Sequence, residues 1–199
     1  MIMARIALNK SSLDREKRNL KTFNRYLPTL ELKRQQLLVE RKKARDAVRE
    51  VYERIGQIEK NVREQLPMLA CEDIDIESPV RVTDVVLGKQ NIVGTVVPVV
   101  EKVDVEVVQY SYLTKPHWMD FLVERLKEMV ELHVEMLVRE LRYQKISEAT
   151  RITTQRVNLF SRILIPRSNR NIARIKIFMS DMERAAVVNA RISKTRMAN

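Results

Sequence analysis

Few side chains in this chain are of the types that do chemistry, and their spacing decides what each can do. Gly88-Lys89 is the nearest approach to a phosphate-cradling loop. Such a loop needs a glycine five residues before that glycine and a Ser or Thr after the lysine, so that amides wrap the phosphate and a hydroxyl reaches its magnesium. Thr83 and Gln90 stand in those places, and Gly88-Lys89-Gln90-Asn91 reads as a hairpin turn. His117 and His133 are 16 residues apart with no cysteine beside them, which is no zinc pattern. His117 follows Pro116 in the first turn of a helix, and His133 falls on an apolar stripe as a partly buried packing residue. Glu124, Glu128, Glu131 and Glu135 resemble a carboxylate cluster, yet their helix is rich in Lys and Arg, so they read as a solvated face with pairs at i,i+4. Cys71 is the single cysteine; it excludes an internal disulfide, fits a reducing compartment, and has no His or Asn arrangement to make it a nucleophile. No catalytic residue, metal site or cofactor is expected.

What the sequence does specify is helix. Taking Leu20 as position a, the a/d series runs Leu20, Phe23, Leu27, Leu30, Arg34, Leu37, Arg41, Ala44, Val48, Val51, Ile55, Ile58, Val62, Gln65, with 11 of 14 apolar. That exceeds the three or four heptads that mark a coiled-coil seam. Ser11 or Ser12 supplies the N-cap and Pro67 the stop, with Pro28 inside predicting a kink but no break. From Pro116 a second helix carries Phe121, Leu122, Leu126, Met129, Val130, His133, Met136, Leu137 and Leu141 at 3–4 spacing. Pro166 interrupts it, after which Ile172, Ile175, Met179 and Met182 resume the register, and small or polar Ala186, Asn189 and Ser193 thin the seam toward the end. The fold class is therefore mainly α: a long antiparallel two-helix coiled coil with a small β-hairpin-containing insertion. Its parts are an N-terminal helix (1–66), a central loop and hairpin (67–116) and a C-terminal helix (117–199). In the insertion, Arg81–Leu87, Ile92–Val97 and Val103–Val107 read as strands, so a hairpin or three-stranded element is expected within about 79–109, preceded by an acidic loop of Glu72, Asp73, Asp75 and Glu77. Pro98 confines its strand to an edge or an end.

Composition agrees. Charged residues make up 32% and aromatics 5%, with 3 glycines and 6 prolines, as in long exposed helices and unlike a loop-rich globule. No run of eighteen apolar residues offers a membrane span, and the N-terminus lacks a signal-peptide core, so a soluble cytosolic chain is expected. The net charge of +11 is unevenly placed: residues 1–45 hold 13 basic and 4 acidic groups, residues 149–199 hold 11 and 2, and the stretch between holds 13 and 20. Antiparallel pairing brings both basic stretches to one end, which selects acidic partners. Arg34 and Arg41 on the seam point the same way. A basic coiled-coil scaffold or a nucleic-acid binder is the alternative, though few aromatics interleave with the cations and no binding motif is present.

The series Thr153-Thr154-Gln155-Arg156-Val157-Asn158, Ile163-Leu164-Ile165-Pro166, Asn171-Ile172-Ala173-Arg174-Ile175 and Asp181-Met182-Glu183-Arg184 resembles the last helix of the D subunits of V-type and A-type rotary ATPases. Leu30-Glu31-Leu32-Lys33-Arg34-Gln35-Gln36-Leu37 is similar to that family's first helix, and the resemblance spans essentially the whole chain. It departs at Arg25-Tyr26, where the family often has Arg-Gly, and at Pro28, unexpected in a shaft helix. The resemblance implies a non-catalytic central-stalk rotor, peripheral to the membrane. Its partners would be the catalytic and regulatory subunits of a hexamer, a small companion subunit and a membrane rotor adaptor, with no nucleic acid. Both termini would point into the hexamer, placing Arg167, Arg170, Arg174 and Arg184 at the hexamer-facing tip. Leu20, Leu27, Leu30, Leu37, Val51, Ile58, Ile172, Ile175, Met179 and Met182 would form the seam of the shaft.

Overall fold

The structure is a computed structural model and describes residues 7–70, 79–108 and 118–198. Its elements are helix α1 (Lys10–Gln65), a 3-10 turn (Pro67–Ala70), strands β1 (Val80–Ile92) and β2 (Thr95–Val107), helix α2 (Met119–Leu159), a π turn (Phe160–Leu164) and helix α3 (Ile165–Ala198). The expected acidic loop, Cys71 and His117 lie outside the described residues.

Helix α1 starts earlier than Ser11 or Ser12 would place it. Asn9 is the cap: its Oδ1 accepts from the Ser12 amide at 2.8 Å, and its carbonyl accepts from the Leu13 amide at 3.1 Å. Asn satisfies an orphan first-turn donor as well as Ser does. The helix continues without interruption through Pro28 and ends one residue before Leu66, whose amide still reaches the Val62 carbonyl at 2.8 Å. Pro67 has no amide to extend the ladder, and the chain tightens into the 3-10 turn.

The chain forms two compact units. The larger, the central unit, comprises residues 35–151. Three apolar clusters hold it. Leu66 packs with Trp118, Met119, Leu122 and Val123; Val51, Ile55 and Ile58 pack on Leu132; Ala44 packs with Ile146 and with Ile92 and Val97 of the hairpin. As α1 numbers fall from 66 to 44, α2 numbers rise from 118 to 146, so the helices of this unit run antiparallel. The buried face of α2 follows the sequence stripe at Leu122, with Phe121, Leu126, Met129 and Met136 packed on the clusters, and departs from it at His133, Leu137 and Leu141. Leu132, Val138 and Ile146 are buried, whereas Leu137 and Leu141 are 55% and 47% exposed and His133 is exposed. His133 bonds through Nδ1 to the Met129 carbonyl one turn back, at 2.9 Å.

The insertion is a two-stranded antiparallel hairpin; the turn splits the expected strand Ile92–Val97, leaving Ile92 at the end of β1, and β2 runs from Thr95 through the expected strand Val103–Val107. Its turn is Val93-Gly94, not Gly88–Asn91, which lies inside β1. Both turn residues have positive φ, 51° and 76°, as a two-residue turn matched to strand twist requires. For Gly94 that costs little; for β-branched Val93 it is strained. The register Gln90↔Val97 and Ile92↔Thr95 carries Val97 and Ile92 onto the helix pair, and that burial sets where the turn must fall. Pro98 sits within β2 opposite Lys89; in a two-stranded sheet every strand is an edge, so its missing amide can face outward.

The other unit, the terminal unit, comprises residues 1–34 and 152–199. Leu13, Val157 and Ile175 are buried in it, together with Ser12, Thr153 and Ser168. Phe23 meets Phe160 edge to face, centroids 5.4 Å apart with planes at 85°. The interruption expected at Pro166 takes the form of the π turn. The proline nitrogen cannot donate, and its ring crowds the carbonyl of Arg162. One wider turn absorbs the clash: the Ile165 amide bonds back five residues to the Phe160 carbonyl, and Ser161 Oγ donates to the Val157 carbonyl at 2.8 Å.

Candidate interaction surface

The terminal unit carries a concentrated, unneutralised positive charge. Its described residues hold 8 basic and 3 acidic side chains over 7–34, and 10 basic and 2 acidic over 152–198, a net +13. The ion pairs among the described residues all fall between Glu40 and Arg151, in the central unit. There, charges of opposite sign sit three or four apart on one helix, as in Arg49–Glu53, Lys60–Glu64 and Arg151–Glu148. In the terminal unit acidic partners are too sparse for that arrangement.

Arg167, Arg170, Arg174 and Arg184 are all placed on α3, and all four are exposed. The first three recur at i, i+3 and i+7, which puts them on one helix face. Arg170 Nε points back to the Pro166 carbonyl at 3.4 Å, using a group on its own helix and leaving the rest of the guanidinium for solvent or a partner. Arg34 is half-buried, and its Nε has no hydrogen-bond partner among the described residues; Arg41 is exposed. A buried guanidinium donor left unpaired is costly, and an acidic group from outside would relieve it.

The expected seam residues sort by depth. Leu37, Val51, Ile58 and Ile175 are buried, and Leu20, Leu27, Leu30, Ile172 and Met179 are half-buried. Met182 is 58% exposed, because the described chain provides no helix facing it. From there on α3 is exposed on all sides, yet it displays Val187, Val188 and Ile192 along with Met182, and exposed Ile177 precedes them. At about 100° per residue, steps of five residues rotate about 140°, so these side chains ring the helix and form no single stripe. The sequence shows these residues, but a search for heptads finds only Met182 among them because the others keep no period. Exposed Leu159 precedes the π turn and exposed Ile163 lies within it, among Arg156, Arg162 and Arg167.

Chemistry is scarce elsewhere. Among the described residues no group of three His, Cys, Asp or Glu could hold a metal, and no helix is long and apolar enough to cross a membrane. Glu128 pairs with Arg125 at 2.9 Å and Glu135 with Arg139 at 2.5 Å, at i,i+3 and i,i+4 spacing on a part-buried side of α2. Gly88 lies opposite Val99 in the ladder, and a Cβ there would meet the carboxylate end of Glu101, so its environment is that of a strand and no phosphate cradle.

Comparison with known proteins agrees with these features. The family model for the D subunit of ATP synthase matches residues 12–195. The V-type ATP synthase D subunit of Borreliella burgdorferi is 34% identical over 193 residues, covering 97% of this chain and 95% of that protein. Those of Chlamydia felis and Chlamydia pneumoniae are 34% and 31% identical, over 98% and 96% of this chain and 94% and 93% of theirs. The match runs from the first turn of α1 into the last turns of α3, and the chain belongs to the family of ATP synthase D subunits.

Proposed function

We propose that the chain is the central-stalk rotor of a V-type or A-type rotary ATPase, coupling ATP hydrolysis or synthesis in a catalytic hexamer to ion translocation through a membrane rotor. The observation that carries this reading is the end of α3, a basic helix with apolar side chains exposed around its whole circumference. A helix apolar on one stripe wants a groove, whereas one apolar all round wants to be enclosed. A ring of subunits with an acidic lining would supply both the enclosure and the charge complement. The terminal unit is then the driven end, with Arg167, Arg170, Arg174 and Arg184 facing the catalytic and regulatory subunits. The companion subunit and the membrane rotor adaptor would engage the central unit and its hairpin. No step of the chemistry needs a group from this chain. It acts as an asymmetric cam: if one rotor angle favours the open form of a site over the closed by about 1.4 kcal/mol, that site's population shifts tenfold. The complex would sit at the membrane with this chain peripheral to it.

The test is pull-down and coupled ATPase activity with Arg167→Glu, Arg170→Glu and Arg174→Glu combined. Association with the hexamer should weaken and its salt dependence should change. Deleting residues 81–97 should leave hexamer entry intact and impair regulation or companion binding. If the deletion abolishes entry while the triple charge reversal changes nothing, the assigned polarity is wrong.

A further inference from the structure

We infer that Arg139 sets the register of α1 against α2 in the central unit. Apolar layers alone do not define that register. The layers are built from interchangeable residues, Val51, Ile55 and Ile58 on one side and Met129, Leu132 and Met136 on the other, and a slide of one helix turn or one heptad replaces one apolar contact by another. Arg139 breaks that equivalence. Its heptad neighbours in the same phase, Leu132 and Ile146, are both buried apolar residues. The Arg139 side chain is 30% exposed and reaches across to α1, donating from Nη1 to the Ala47 carbonyl at 3.0 Å. The same nitrogen lies 3.9 Å from Glu50 Oε2, and Nη2 bonds to Glu135 Oε1 on its own helix.

Of the ion pairs among the described residues, Arg139–Glu50 alone joins α1 to α2. In this register the guanidinium has a carbonyl and two carboxylates. On a slide of one heptad, Glu135 would move with it and another α1 carbonyl would come opposite. Ala47 and Glu50, however, would be replaced by Arg54 and Gln57 or by Glu40 and Lys43, bringing a cation beside the guanidinium in either direction. Arg125 lies in the same phase, but it pairs with Glu128 on its own helix and stacks over Phe121 at 5.1 Å, so it holds no register. The inference rests on this geometry alone and stands whether or not the chain is a rotor.

Spin labels at Tyr52→Cys and Leu141→Cys, both exposed, in a Cys71→Ser background of the full chain, read the slide as a distance by pulsed electron resonance. With Arg139 present one distance is expected. Arg139→Met should keep the helix content and add a second population, displaced by about 5 Å for one turn or about 10 Å for a heptad at about 1.5 Å per residue. Glu50 and Glu135 are exposed enough to be solvated without their partner. Val97→Ser, which weakens the hairpin contact instead, should leave the single distance unchanged and so separates this role from that of the hairpin. Should Arg139→Met unfold, the double variant Glu50→Gln, Glu135→Gln carries the same test with the apolar layers intact, and it too should produce the second distance. A single wild-type distance in the folded variants overturns the inference.

Discussion

Ile146→Ala and Leu141→Ala test which face of α2 is buried, because periodicity and structure disagree there. Leu141 belongs to the apolar stripe read from the sequence but is 47% exposed, while Ile146 is fully buried against Ala44, Ile92, Val97 and Tyr143. Truncating Ile146 removes three carbons. At about 0.8 kcal/mol each the transfer loss is about 2.4 kcal/mol, and the residual cavity brings the cost to about 3 kcal/mol. Leu141 leaves no enclosed cavity, and its truncation should cost less than about 1 kcal/mol. In a chain of this length 1 kcal/mol moves the melting temperature by about 2–4 °C, so Ile146→Ala should melt about 6–12 °C below wild type and Leu141→Ala within about 3 °C of it. Far-ultraviolet circular dichroism during heating, with urea titration for the free energies, measures both. Equal losses for the two variants, or a larger loss for Leu141→Ala, would refute the structural assignment of the face and restore the sequence stripe.

Asn9→Ala should destabilise α1 by about 1 kcal/mol, since it removes the acceptor for the Ser12 amide, whereas Ser11→Ala should be within about 0.5 kcal/mol of wild type; urea denaturation distinguishes them. The carboxyl of Glu148 is held below the ordinary carboxylate range by its hydrogen bond from Arg151, with the nearby positive charge acting in the same direction. A depressed carboxylate pKa means that the stabilising pair is fully present above the unfolded-state value, near 4.5, and is lost as pH falls through the lower folded value. Carbon-detected NMR titration should therefore show Glu148 titrating below that value, and Arg151→Ala should return it to the ordinary range. Gly94→Ala forces a side chain into a left-handed conformation at φ 76° and should cost about 1 kcal/mol by the same denaturation assay.

The elements whose signals are local were legible in the sequence. Pro67 ends α1 and Pro166 disturbs the return helix because a missing amide acts wherever it falls. The β-branched run from Val80 to Val107 is a hairpin because those residues suit a pleated surface. What escaped was decided by packing at a distance. Gly88-Lys89-Gln90-Asn91 has turn composition, yet seating Ile92 and Val97 on Ala44 and Ile146 moves the turn to Val93-Gly94, against the propensity of valine. Helix α2 carries apolar residues on more than one stripe, so hydrophobicity alone cannot choose between Leu141 and Ile146 without knowing where the hairpin lies. The π turn has no composition of its own and follows from where Pro166 falls in a helix that continues on both sides. Among the surface groups, the clustering of cations was visible in the sequence, but their lack of ion pairs and the encircling exposed apolar residues of α3 needed coordinates.

The most direct test of the rotor reading is to watch this chain move within its assembly. The ATPase complex would be immobilised through its catalytic hexamer and a probe attached to an exposed position of the hairpin, such as Lys89→Cys in a Cys71→Ser background. On addition of ATP the probe should turn continuously in one direction relative to the hexamer, and a crosslink from Val188→Cys on α3 to the surrounding ring should stop it. A probe that stays fixed relative to the hexamer while ATP hydrolysis continues, before any crosslinking, would contradict the assignment of this chain as the rotor.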